Sequence, residues 1–149
     1  DCISLINTLT GMVIDIERRL PVLANNTGGV SGAGIMPIAL RMVYEAAHAV
    51  NIPVIGMGGI TCGNDAIAFM MAGARAVQVG TSNFTDSYSI PRIVREMDEW
   101  LDRHGIKDVN EIVNTLQLTE EGEYGTQLQT AFYKIHGRKR RSDFRRFYA

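Results

Sequence analysis

Apolar residues in this chain fall into short continuous runs separated by stretches with helical periodicity. "IPVIGM", residues 52–57, is an apolar run with β-branched residues, the pattern of a strand covered on both faces. "AVQVG", residues 76–80, is a second such run, and "CISLINT", residues 2–8, is a third that ends in polar groups. Between the first two, "GNDAIAFMMAGA" predicts a short helix stopped by Gly73. In "PIALRMVYEAAHAV" the residues Leu40, Val43, Ala47 and Val50 recur at helical spacing, and Pro37 sits where a missing N–H costs nothing. Ser89 is a candidate cap for a helix running to about His104, with Ile90, Ile93, Val94, Met97 and Leu101 on one face and Gly105 ending it. "VNEIVNTLQ", residues 109–117, predicts a last short helix. The stretch 11–34 has no helical period: "MVIDI" and "PVLA" suit a short hairpin or arm, and "NNTGGVSGAG" a turn-rich loop.

The order is strand, long arm, helix, strand, helix, strand, helix. Buried strands alternating with amphipathic helices imply parallel strands and an α/β fold. An open doubly wound sheet and part of a (β/α)₈ barrel both fit. Only three such strands are legible, and a complete barrel needs roughly 200 residues or more, so 149 residues cannot make one.

Composition narrows the class. At 46% hydrophobic and 21% charged, the chain has the make-up of about one soluble domain. No apolar run approaches the ~18 residues of a membrane span, and no signal-peptide pattern opens the sequence. The two cysteines, Cys2 and Cys62, make no disulfide framework, so a cytoplasmic location is expected. No Cys and His residues have zinc-site spacing, and no metal is expected. The net charge of −1 hides a basic end: "KIHGRKRRSDFRRFYA", residues 134–149, carries seven Lys and Arg against Asp143. Such an end suits nucleic acid or an acidic surface, or else a solvated or disordered tail, and the tail reading is preferred.

The candidate chemistry sits at the strand ends. In α/β folds the ligand site lies beyond the carboxyl ends of the strands. Gly58-Gly59 and Gly80-Thr81 both fall there, one βα unit apart. Without Cβ atoms the backbone can approach a ligand closely, and the following helix N-terminus offers positive partial charge to an anion. Two successive glycine turns match the barrel phosphate site, built from adjacent βα loops. Ser31-Gly32, ahead of the Pro37 helix, is a third donor group. A single Gly-Gly is more often a plain turn, and it is the tandem that favours phosphate. At the other strand end Asn7 and Thr8 offer amide and hydroxyl groups suited to a planar polar ligand, or simply to a turn.

Taken together, "LINTLTGMVIDI", "PVLANNTGGVSG", "PIALRMVYE", "IPVIGMGGI" and "AGARAVQVGTSNF" resemble the C-terminal portion of class 1 dihydroorotate dehydrogenase, most closely the B-type catalytic subunit. The resemblance runs from residue 1 to about Gln117. It implies the last three βα units of a TIM (β/α)₈ barrel in residues 1–117, with 118–149 a divergent basic tail. It implies FMN as cofactor, held at Ile6, Gly32, Gly58, Gly59, Gly80 and Thr81, with the glycines and Thr81 around the phosphate. Asn7 and Thr8 match positions that hydrogen-bond the pyrimidine ring of dihydroorotate or orotate. The implied activity is oxidation of dihydroorotate to orotate in pyrimidine synthesis. FAD and an iron–sulfur cluster would reside in a partner subunit that uses NAD, within a homo- or hetero-oligomer; neither a membrane nor a nucleic-acid partner is expected.

Parts of the family pattern are missing. The catalytic cysteine and the flavin-contacting lysine of the family fall before Asp1 when the motifs are aligned. Neither cysteine present replaces them: Cys2 lies at the wrong end of a strand, and Cys62 stands where the family commonly has a small polar residue. His48 and His104 fall on helices and His136 in the tail, so no catalytic residue is nominated. A three-unit barrel piece would leave strand edges open. The expectation is therefore a fragment of a longer polypeptide or one that needs a complement. Alternatives are a dihydropyrimidine dehydrogenase-like domain and an inactive flavin- or phosphate-binding fragment.

Overall fold

The structure is a computed structural model and describes residues 1–118. Three parallel strands form its main sheet in the order β1-β6-β7: β1 is Ile3–Leu5, β6 is Val54–Met57 and β7 is Ala76–Gln78. Ile3 pairs with Val54, and Ile55 with Ala76. The three apolar runs are thus the three sheet strands, and β6 lies in the middle with Val54 only 1% exposed. Helices α1 (Met36–Ala49), α2 (Gly63–Met71) and α4 (Ser89–Arg103) follow the strands, and a short α3 (Ser82–Thr85) lies between β7 and α4. The parallel strand–helix repeat agrees with part of a TIM barrel.

The core sits between the sheet and one layer of helices. Ala39 and Val43 of α1, Ala66 and Phe69 of α2, and Ile93 of α4 are buried with Val54. Phe69 is fully buried. Its ring rests on β6, because a Cβ at Gly56 would come within 2.6 Å of it. Truncating such a ring to alanine costs about 3–5 kcal/mol. Ile67, Met70, Leu101 and Ile112 form a second cluster between α2, α4 and the 3₁₀ turn Val109–Ile112. On α4, Ile90 and Val94 are 48% and 52% exposed, so the predicted apolar face is only partly covered.

Helix ends follow the sequence signals closely. Gly73 (φ +112) closes α2: its N–H and that of Ala74 donate to Met70 and Phe69 carbonyls, a Schellman end. Gly105 closes α4 the same way onto Asp102 and Leu101. Ser89 is a correction. It is the first helical residue, it is fully buried, and its hydroxyl donates to Asn83 Oδ1 at 2.7 Å instead of capping α4. The last predicted helix is a single 3₁₀ turn, capped by Asp108, whose side chain accepts from Asn110 N.

The arm contains more structure than a loop. Residues 13–22 form the expected hairpin, with β3 (Ile14–Asp15) antiparallel to β4 (Leu20–Pro21). Within the stretch read as a loop lies β5, Gly28–Val30, antiparallel to β2, Leu9–Gly11. Glycine permits this pairing, since a Cβ at Gly29 would collide with the Thr8 side chain and one at Gly11 with Val30. Met12, Val13, Ile14, Ile16, Leu20 and Val22 of the arm are exposed. No helix among the described residues is long and apolar enough to cross a membrane. The basic stretch 134–149 lies outside the described residues.

Candidate functional site

A cleft of about 780 Å³ opens at the carboxyl ends of β1, β6 and β7. Ile6, Asn7, Thr8, Gly58, Gly59, Gly80 and Thr81 all line it, together with Ser31. Seven of the eight residues nominated from sequence therefore meet in one place. The eighth, Gly32, stands just behind: its carbonyl oxygen lies 2.8 Å from where a Gly59 Cβ would be. A Cβ on Gly32 itself would approach Thr81 Cγ2 at 3.7 Å.

The segments after β1, β5, β6 and β7 build this convergence. The turn after β6 runs through Gly58 (φ +128) and Gly59 (φ +79), backbone conformations that side chains resist. At Gly59 a Cβ would also meet Met36 Cβ at 2.7 Å and Met36 N at 2.8 Å. The Gly59 backbone is thus pressed against the amino end of α1, whose first turn holds no acidic residue. Its leading N–H groups are already bonded, Ile35 N to the Gly32 carbonyl and Met36 N to the Ala33 carbonyl, and Pro37 has none. Gly80 differs, because a methyl group on its Cα would find no atom within 4 Å, and its missing side chain leaves free space on the cleft. Thr81 Oγ1 donates to Ser31 Oγ at 2.9 Å, joining the loop after β7 to the loop after β5.

Ile6 is 7% exposed and packs on Gly58, where a Cβ would come within 3.4 Å of it. Asn7 and Thr8 are exposed at the end of β1, and the Asn7 side chain accepts from Thr8 N–H at 2.7 Å. The cleft wall adds Ser4 and Gln78, which no sequence motif singles out. None of the lining side chains among the described residues is ionisable. An anion here would be held by backbone dipoles and hydroxyls, and no lining carboxylate would repel it.

The amino end of α2 does not serve the cleft, contrary to the expectation that both glycine turns deliver a helix end to the ligand. Its donors are taken by carboxylates. Asp65 Oδ2 accepts from Thr61 N and Thr61 Oγ1 at 2.8 Å and from Cys62 N at 3.2 Å. Cys62 is the N-cap, its sulfur accepting from the Asp65 N–H, so the thiol is part of a helix cap. Partial burial works against ionisation of Asp65, but the Thr61 and Cys62 bonds outweigh it and hold the carboxyl below its usual range. Glu96 of α4 accepts from Gly63 N at 2.6 Å, and this bond followed by Arg92 lowers its pKa too. Arg92 bonds Glu96 at 2.9 Å and Asp86 at 3.1 Å, and both hold its guanidinium more firmly protonated than usual.

Cys2 is exposed ahead of β1, at the opposite end of the strand from the cleft. His48 and His104 bond the carbonyls of Tyr44 and Trp100 within their own helices, and neither lines the cleft. Ser82, Asn83 and Arg92, which connect the loops behind the cleft, are not among the residues nominated from sequence. The run of hydroxyl and amide residues in "TSNFTDSYS" is the available signal for the first two.

Comparison with known proteins gives this geometry a lineage. A dihydroorotate dehydrogenase family model matches residues 1–101. The catalytic subunit of dihydroorotate dehydrogenase B (NAD(+)) from Geobacter metallireducens is 58% identical over 118 residues, covering 79% of this chain and 39% of that protein. Its counterpart from Bacteroides fragilis is 53% identical over the same shares. The chain thus spans about two fifths of the length of these curated relatives. A crystal structure of DHODH from Eimeria tenella, in complex with ferulenol, superposes with a TM-score of 0.61 at 27% identity, covering 75% of this chain and 30% of that one. A family model across most of the described residues, and identities above one half beyond it, lead to one assignment: the chain belongs to the dihydroorotate dehydrogenase family, on the side of its B-type catalytic subunits.

Proposed function

We propose that this chain forms the phosphate-gripping and part of the pyrimidine-binding portion of an FMN-dependent enzyme that oxidises dihydroorotate to orotate in pyrimidine synthesis. The observation that carries the reading is the meeting of Gly59, Gly80, Thr81 and Ser31 around one uncharged cleft, with Gly32 behind them. The cleft fits the phosphate end of FMN: bare backbone at two turns, two hydroxyls and no carboxylate in the wall.

Each residue has a role in this reading. Gly32, Gly58, Gly59, Gly80 and Thr81 hold the phosphate through backbone N–H groups and the Thr81–Ser31 hydroxyl pair. Two hydroxyls bonded to each other use one proton and leave one O–H for a ligand. Ile6 gives the ring system an apolar surface. Asn7 and Thr8 hydrogen-bond the pyrimidine ring and orient it. FMN, when bound, supplies the hydride-accepting chemistry, and the protein supplies binding and orientation. The proton leaving the substrate goes to a base outside the described residues, since none of their ionisable groups lines the cleft. By family resemblance that base is a cysteine, with a lysine that contacts flavin and substrate.

The names of the relatives include NAD(+) and a catalytic subunit. For this chain they support a partner subunit that uses NAD; the family resemblance adds FAD and an iron–sulfur cluster in that partner, and a cytoplasmic location completes the reading. The cleft without an ionisable group also favours a second reading, in which the isolated chain binds flavin phosphate but turns nothing over.

Fluorescence titration of the full chain with FMN and with riboflavin, which lacks the phosphate, tests the first claim. Tight FMN and weak riboflavin binding is expected, and equal affinity would refute the phosphate cradle. Dihydroorotate oxidation on adding a polypeptide with the remaining barrel units separates the enzyme reading from the inactive one.

A further inference from the structure

We propose that Ser82 and Arg92, neither of which lines the cleft, are positioning residues that lock the two glycine turns into one rigid phosphate cradle. The inference rests on the phosphate reading of the cleft and assigns the groups that shape it.

The turn after β6 continues from Gly58-Gly59 into Ile60 and Thr61. Both of its later carbonyls are captured by the segment after β7. Ser82 Oγ donates to the Ile60 carbonyl at 2.6 Å, and Arg92 Nη2 donates to the Thr61 carbonyl at 3.1 Å. The N–H groups on the far side of the same two peptide planes, those of Thr61 and Cys62, go to Asp65. A planar peptide fixed at its C=O and at the next N–H cannot swivel. The outer half of the turn is therefore clamped, and Gly58-Gly59 is left as the half that faces the cleft.

The same clamp reaches the second turn. Ser82 directly follows Gly80-Thr81, so its bond to Ile60 ties one glycine turn to the other. Asn83 Nδ2 donates to the Val79 carbonyl at 2.8 Å, and Ser89 Oγ holds the Asn83 amide oxygen. Arg92 extends the tie to Asp86, in the loop between α3 and α4. Ser82 and Ser89 are the buried polar side chains among the described residues, and both belong to this network. A buried hydroxyl is costly unless it is bonded, and here each has a partner in a loop of the cradle.

The test compares FMN and riboflavin affinities of the full chain in the wild type, Ser82→Ala, Arg92→Gln and the hydroxyl-keeping Ser82→Thr. Ile112→Val, in the second core cluster, is the control for general destabilisation. Ser82→Ala and Arg92→Gln are expected to weaken FMN binding about tenfold while riboflavin binding stays within about twofold, the scale of a few misaligned hydrogen bonds to a charged group. Ser82→Thr, which keeps the hydroxyl, should retain wild-type FMN binding. A wild-type FMN-to-riboflavin ratio in both variants, or parallel loss of both flavins as in Ile112→Val, would overturn the proposal. Equal affinities in the wild type would overturn the phosphate reading itself, and the positioning role with it. Amide hydrogen exchange of the ligand-free chain gives an independent readout. Ser82→Ala should speed exchange about tenfold at Thr61, Asn83 and Phe84, whose N–H groups bond within the clamp, and leave α1 unchanged. Unaltered exchange at those three amides would sink the clamp even if flavin affinity changed.

Discussion

Thr81 and Ser31, fifty residues apart in sequence, touch through their hydroxyls at 2.9 Å. This pair closes the ring of loops around the cleft, because Ser31 lies before α1 and Thr81 after β7. Thr81→Val keeps the side-chain shape and removes the hydroxyl. It is expected to lower FMN affinity about tenfold, the value of one hydrogen bond to a charged group, without changing riboflavin affinity. Parallel titrations of the two flavins check this.

The two glycine turns predict opposite behaviour on substitution. Gly80→Ala meets no atom within 4 Å, so unfolding free energy should change by less than about 0.5 kcal/mol while FMN binding is lost to the methyl group in the cleft. Gly59→Ala meets Met36 and the Gly32 carbonyl at a φ of +79, so it should lose about 1–3 kcal/mol of stability as well as binding. Urea unfolding beside FMN titration separates the two effects.

Acid sensitivity should track Asp65. Its carboxyl is held below the usual range in the folded chain, so on acidification the unfolded state takes up the proton first. The contribution of the cap is complete above the ordinary aspartate value of about 4 and fades as pH falls through the lower folded value. Glu96, also lowered, acts in the same direction. Asp65→Asn should cost about 1 kcal/mol at neutral pH, as capping losses do, and flatten the decline in urea midpoint below about pH 4. An unchanged acid limb in the variant would remove Asp65 from this account.

Ending the chain at Gln117 should leave flavin affinity unchanged, because the described lining of the cleft falls between Ser4 and Ile90. Comparing FMN titrations of the two lengths checks it.

Local signals make much of this fold legible. The apolar runs mark the three sheet strands, Pro37 the start of α1, and Gly73 and Gly105 the ends of α2 and α4. These features depend on a residue and its near neighbours. Ser89 misleads because its partner, Asn83, lies in a preceding helix that no periodicity announces. The β2–β5 pairing is hidden because Gly28 and Gly29 look like turn residues, whereas here they make room for the side chains of Leu23 and Thr8 within a strand. At the site, the motif positions at the strand ends are readable from spacing, and they meet in one cleft. The use of the α2 amino end is not readable in the same way, since Glu96 reaches Gly63 from thirty-three residues away and no spacing rule connects them.

Gly59 and Gly80 also stand under different constraints. The fold itself penalises a side chain at Gly59, because Met36 and the Gly32 carbonyl already occupy that space. A descendant that abandoned its ligand would still lose stability by replacing that glycine. Nothing in the packing protects Gly80. Once selection for the ligand lapsed, it would be free to drift, so among related chains the residue at this position, rather than the Gly-Gly pair, records whether the pocket is still in use.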